Sequence, residues 1–157
     1  MLLALETSTN VCSVAFKDDE DNLFEKRIEK RGSHSEKLFL FIEELMEEQG
    51  LKTPELQAML ISQGPGSYTG LRIGASAVKG LLFQTAVPLY AVDTLAGFAQ
   101  AALDSDQNIN SIHAVIDARR VHLYHQQLLV QDQRLEALSE VEILPIDTIQ
   151  QTIEAGM

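Results

Sequence analysis

Cysteine is nearly missing from this chain of 157 residues: Cys12 stands alone, so no internal disulfide can form and packing must hold the fold. It sits in an alternating strand pattern, where a small core residue is expected. Basic residues are scarce as well. Lysine and arginine number 12 against 23 acidic residues, a formal net charge of -11. Nucleic-acid backbones are bound by cations that displace counterions, so a chain this acidic opposes an RNA backbone rather than attracting it. The cluster Lys26, Arg27, Lys30 and Arg31 alternates with Glu25 and Glu29, which reads as a solvated strand edge. No apolar run approaches the ~20 residues of a membrane span. Leu2–Leu5 is cut short by Glu6 and has no basic segment before it, so no signal peptide is expected and the predicted location is cytoplasmic. Internal repeats and low-complexity tracts are absent. So are the Lys-Ser/Thr pair of a P-loop, the dinucleotide glycine spacing and the Gly-x-Ser-x-Gly of a nucleophile elbow.

The composition that remains is that of an ordinary globular protein, 45% hydrophobic and 22% charged. Its most informative stretch is QGPGSYTGLRIG, from Gln63 to Gly74, between the apolar run Met59-Leu60-Ile61 and a helical pattern. Gly64, Gly66 and Gly70 allow positive φ or close backbone approach, and Pro65 stiffens the turn. Ser67 and Thr69 bring hydroxyls to the helix N-terminus, where unpaired N–H groups need acceptors. Such a turn serves either as architecture or as an anion cradle. The stretch alone does not decide between them.

The remaining elements follow from periodicity and turn residues. Leu2–Leu5, Val11–Phe16 and Leu23–Ile28 read as a β-meander, with 18–22 as the acidic turn. A helix begins near Ser33, with Glu36 placed for a capping box, and stops at Gly50. Next come a strand at Ala58–Ser62, a helix at about Gly70–Gln84, a strand at Pro88–Val92 and a helix at Thr94–Leu103. A polar break at 104–108 marks the expected boundary, giving a first subdomain over 1–105 and the beginning of a second over 106–157. That second part should contain a hairpin from Ser111–Asp117 and Val121–Val130, a strand near Leu138–Leu144 and a short helix at Ile146–Glu154.

The central stretch, LALETSTNVCSVAF at the N-terminus, Gly32-Ser33-His34-Ser35 and Ile116-Asp117-Ala118-Arg119 together resemble the TsaB (YeaZ-like) family. That family is the partner subunit in threonylcarbamoyladenosine (t6A) synthesis on tRNA, and its matches run to about residue 125. The resemblance implies an α/β fold of the actin-like ATPase (ribonuclease H-like) class, with a mixed five-stranded sheet and a second subdomain shorter than the family's. It also implies a TsaD-type partner that carries ATP and a divalent metal. A TsaE-type ATPase in a larger complex and a homodimer in isolation are implied too. The chain itself is expected to hold no cofactor or metal.

Two helices carry the argument for such a role. In the second, Gly74, Ala77 and Leu81 continue one stripe and Leu71, Ala75 and Val78 an adjacent one, leaving Arg72, Ser76 and Lys79 as the polar line. In the first, Leu38, Phe41 and Leu45 make one stripe and Phe39, Ile42 and Met46 a second, with Glu43, Glu44, Glu47 and Glu48 opposite. One sheet covers one side of a helix, so either other elements bury the second stripe or a partner does. The resemblance implies the partner.

Chemistry is less well furnished. The catalytic relatives carry a His-x-x-x-His metal pair after the fifth strand; the matching positions here are Thr94 and Phe98, which cannot replace neutral imidazoles. His122 and His125, three apart on a strand, should point to opposite faces as surface or interface residues. The resemblance marks Glu6, Thr7, Ser8, Thr9, Gly64, Gly66, Ser67 and Asp117 as vestigial nucleotide-binding positions. Glu6 stands where the superfamily has Asp, and Ala118-Arg119-Arg120 replaces the glycines of a second phosphate loop. No catalytic residue is expected. The competing readings are an autonomous actin-like ATPase or phosphotransferase and, more distantly, a glycoprotease-like peptidase, for which Ser67 and Thr69 lack a nearby base.

Overall fold

The computed structural model describes residues 1–155, which divide into two compact units, Met1–Val92 and Asp93 onward. The first is built on a five-stranded sheet in the order β3-β2-β1-β4-β5. Its strands are β1 (Leu2–Glu6), β2 (Val11–Lys17), β3 (Leu23–Glu29), β4 (Ala58–Gly64) and β5 (Leu89–Asp93). β1 pairs antiparallel with β2 and parallel with β4. The register sets Leu3 beside Phe16 and Met59, and Leu5 beside Val14 and Ile61, so one face of the sheet is continuously apolar.

Helices α1 (His34–Glu48) and α2 (Tyr68–Leu81) cover that face. Leu38, Leu45, Ala77 and Val78 are almost wholly buried in the core that they share with the sheet. Each large aliphatic side chain buried this way contributes about 1.5–3 kcal/mol. Lys26 on β3 reaches Glu44 at 3.1 Å and Glu48 at 2.6 Å, fastening the sheet edge to α1.

The second unit joins α3 (Thr94–Ser105) to a sheet of β6 (Ser111–Asp117), β7 (His122–Gln131), β8 (Arg134–Ala137) and β9 (Glu142–Pro145), followed by α4 (Ile146–Glu154). Asp93 caps α3, accepting from Leu95 N–H at 2.9 Å and Ala96 N–H at 3.0 Å. Leu95 and Ala99 of α3 pack on Ala114, Ile116 and Leu128. For that reason the units divide at Val92/Asp93, ahead of the polar break at 104–108: α3 belongs to the second sheet's core.

Other local expectations shift for identifiable reasons. Ser33 forms no cap hydrogen bond to α1; its hydroxyl donates to the Lys30 carbonyl at 2.7 Å, so the capping box does not form. The helix expected from Gly70 starts at Tyr68, because Ser67 caps it by accepting from Gly70 N–H at 3.3 Å. The strand expected at Leu138–Leu144 is confined to β9, and β8 is an additional strand. β8 follows a tight turn in which Asp132 and Gln133 both take positive φ, +50° and +60°. None of the described helices is long and apolar enough to cross a membrane.

Candidate functional site

The glycine-rich turn packs on the hairpin that follows β1. Thr7 and Ser8 there are fully buried. Gly66, at φ +155°, and Gly70 in the first turn of α2 press so closely on this hairpin that a Cβ would overlap the Ser8 carbonyl in one case and the Thr7 carbonyl in the other. Ser67 N–H donates to the Ser8 carbonyl. Glu6 folds back, its carboxylate accepting from Ser8 N–H and, at 2.6 Å, from the Ser8 hydroxyl. Thr7 N–H reaches the Ser62 hydroxyl at 3.4 Å, and Thr9 Oγ1 accepts from Val11 N–H at 3.1 Å.

Glu6, Thr7, Ser8, Thr9, Gly64, Gly66 and Ser67 therefore lie together, with the Glu6 carboxylate and the Ser67 N–H both closing on Ser8. Thr7 Oγ1 is buried without a partner. Asp117 lies in the second unit at the end of β6, where it accepts from Arg119 N–H at 2.7 Å. Arg119 and Arg120 take positive φ, +74° and +59°, so the loop keeps a left-handed bend while large side chains occupy it.

The helix stripes separate into inner and outer residues. Leu38, Ile42, Leu45, Met46, Gly74, Ala77 and Val78, all marked above as partner-facing, are buried and hold the helices to the sheet. Phe41, Leu71 and Leu81 are half-buried, while Phe39 and Ala75 are exposed. Leu40, which lies off both stripes of α1, is exposed as well, as are Tyr68 and Phe83, which the stripes did not include; the values are 38%, 71% and 73%. A groove of about 460 Å³ runs between the helices, lined by Phe39, Ile42, Met46, Leu51 and Leu81. A larger one, about 690 Å³, lies on the other flank of α2, floored by Leu71, Val78, Leu82 and Leu89. Arg72 and Lys79 stand among its lining residues, none of which is acidic.

The histidines pair differently from their spacing. His125 is buried, not on the surface, and its partner is His113 of β6, with Nδ1 of His113 2.9 Å from Nε2 of His125 and the rings stacked. The register makes them diagonal neighbours, His125 lying opposite Val115 and His113 opposite Gln127. Burial, then the neighbouring His113, hold the His125 imidazole below its ordinary pKa, against an opposing pull from Glu142. Among the described residues no group of three or more His, Cys, Asp or Glu is placed to hold a metal ion. Thr94 is buried as the first residue of α3, and Phe98 is exposed on the same helix.

The meander β1–β3, the helix-linked β4 and β5 and the mixed sheet order define an α/β protein built on a mixed five-stranded sheet. The family model for TsaD, tRNA N6-adenosine threonylcarbamoyltransferase, matches residues 29–154. The tRNA threonylcarbamoyladenosine biosynthesis protein TsaB of Haemophilus influenzae is 35% identical over 128 residues, 82% of this chain and 53% of that protein. TsaB of Escherichia coli is 30% identical over 123 residues, 78% of this chain and 52% of the relative. Among solved structures, YeaZ from Pseudomonas aeruginosa superposes with a TM-score of 0.83 at 32% identity, covering 92% of this chain and 67% of its own. The chain belongs to the TsaB (YeaZ-like) family. It spans about half the length of these curated relatives.

Proposed function

We propose that this chain serves t6A formation at position 37 of tRNA as a non-catalytic subunit, which binds a TsaD-type transferase through α1 and α2 and holds it in a competent state. The observation that carries this reading is the outer surface of the helix layer. Phe39 and Leu40 on α1 leave large apolar side chains in solvent, and Phe39 lines the groove between the helices together with Leu81 of α2. Exposed apolar side chains beside a groove supply the anchors of protein interfaces. The names of the relatives, TsaB and TsaD, supply the chemistry of the partner.

On this reading ATP and the divalent metal belong to the TsaD-type partner, tRNA is met only through it, and a TsaE-type ATPase joins the larger complex. The same surface pairs two copies when the chain is alone. The site of action is the cytoplasm. Thr94 and Phe98, standing where the catalytic relatives have imidazoles, support the lack of a transferase centre, and the internally engaged Glu6–Ser8 hairpin argues against an efficient ATPase.

The test is size-exclusion chromatography with light scattering, on the chain alone and mixed with the TsaD of its organism. A self-dimer that gives way to a one-to-one complex is expected. Phe39→Glu, at a position 53% exposed, should leave folding intact and weaken the complex about tenfold or more. A variant that binds as well as the parent overturns the reading. Calorimetric titration with ATP addresses the autonomous enzyme, which requires saturable binding to the chain alone.

A further inference from the structure

The two edges of the first sheet are built differently. β3, at one edge, carries Glu25, Lys26, Arg27 and Glu29, the charged dressing by which natural sheets repel additional strands. β5, at the other, reads Leu-Tyr-Ala-Val-Asp; its only charged residue is Asp93, which is occupied in capping α3. Leu89, Tyr90 and Ala91 are all exposed, Leu89 at 44% and Tyr90 at 58%. Among the described strands only β4 pairs with β5, so its outer row of N–H and C=O groups is free of strand partners.

The larger groove adjoins this bare edge, since Leu89 of β5 lines it together with Leu82, Phe83 and Leu71. Its charge is opposite to that of the molecule. In a chain of net charge -11, the only ionised side chains that line the groove among the described residues are the cations Arg72 and Lys79. Arg72 is held over the Tyr68 ring, 5.4 Å from its centroid, and its guanidinium donates to the Tyr68 hydroxyl at 3.3 Å.

We propose that β5 and this groove form a second docking site, distinct from the helix interface, for an extended segment of another protein that alternates apolar and acidic residues. The segment adds to the sheet as a strand on the outer edge of β5, through main-chain hydrogen bonds. It places apolar side chains against Leu82, Phe83 and Leu89 and its carboxylates beside Arg72 and Lys79. Strand addition supplies the affinity and the groove supplies the selectivity. An acidic flank on the segment is repelled by most of the surface and tolerated here, which fixes where it lands.

The probe is a fluorescein-labelled eight-residue peptide of alternating leucine and glutamate, with a leucine–lysine peptide as the control. Anisotropy titration of the full chain is expected to show saturable binding of the acidic peptide, with the basic one about tenfold weaker or more. Hydrogen–deuterium exchange in the presence of the acidic peptide should slow amides within 89–92. Phe83→Glu and the double variant Arg72→Glu/Lys79→Glu, all at exposed positions, should each weaken binding about tenfold while melting like the parent. Phe39→Glu should bind the peptide unchanged, which separates this site from the TsaD-binding surface. Equal binding of both peptides, protection of α2 without β5, or no saturable binding would each overturn the proposal.

Discussion

Gly70 and Gly80 sit in the same helix, and the same substitution should have opposite effects at the two positions. At Gly70 a Cβ would overlap the carbonyl oxygen of Thr7, with the Ser67 Cβ 3.5 Å away. The obstacle is backbone within a fully buried hairpin, so no side chain can swing aside. Relief requires α2 to lift off β1 or the hairpin to retreat. Forced overpacking of this kind costs roughly 1–3 kcal/mol, and a rigid backbone obstacle places Gly70→Ala near the top of that range. The intrinsic helix preference of alanine over glycine returns at most about 1 kcal/mol, leaving a net loss of about 2 kcal/mol. For a chain of this size that corresponds to a fall in Tm of about 4–8 °C. At Gly80 nothing lies within 4 Å of a Cβ. Gly80→Ala should therefore gain about 0.5–1 kcal/mol, a rise of about 1–4 °C. Thermal unfolding followed by circular dichroism at 222 nm (roughly the helical minimum of the α-helix) reads both. If Gly70→Ala melts at or above the parent, the close approach of α2 to the Thr7–Ser8 hairpin is not what the glycine serves, and the packing argument for the turn fails.

Two further outcomes follow from titratable groups. The folded His125 resists protonation more than the unfolded chain, whose ordinary value is 6.5, so the unfolded state binds more protons in the window below that value. Its contribution to stability is full above pH 6.5 and is lost as pH falls towards the lower folded value. Melting midpoints taken from pH 7.5 to 5 should show a shallower decline in His125→Gln than in the parent; identical slopes would remove the imidazole from the account. Cys12 is fully buried, and burial followed by the negative charge of Glu6 raise its thiol pKa. It should stay unmodified by a thiol reagent in the native protein and react only at the rate of unfolding. Prompt labelling would contradict the packing of β2.

What the sequence disclosed of this fold depended on how local each cause is. The meander, both helices over the first sheet and the turn between β4 and α2 are written in short-range periodicity, and they fall within a few residues of their expected places. β8 was hidden because its turn uses Asp132 and Gln133 at positive φ, without the glycine that ordinarily marks such a hairpin. The membership of α3 was hidden for another reason. Leu95, Ala99 and Leu103 announce a buried face without saying which sheet it meets. Register likewise decides His113 and His125, which meet on a diagonal that no spacing along one strand reveals. The double stripes of α1 and α2 marked the helix layer without separating its inner residues from its outer ones. When both flanks of a helix are apolar, a period of 3.6 cannot tell the flank that touches the sheet from the one that faces water. Val78 and Phe39 illustrate the two results, 4% and 53% exposed.

α2 is a strut about 21 Å long, from its 14 residues at about 1.5 Å each. Its first turn is wedged against the Thr7–Ser8 hairpin with no slack at Gly70, and its last turns wall both grooves through Leu81 and Lys79. Ala77 and Val78 are buried against the sheet as well, so α2 is held along its length. The hairpin and the walls of both grooves therefore belong to one packed body, and a change of packing at either end has no loose joint in which to dissipate.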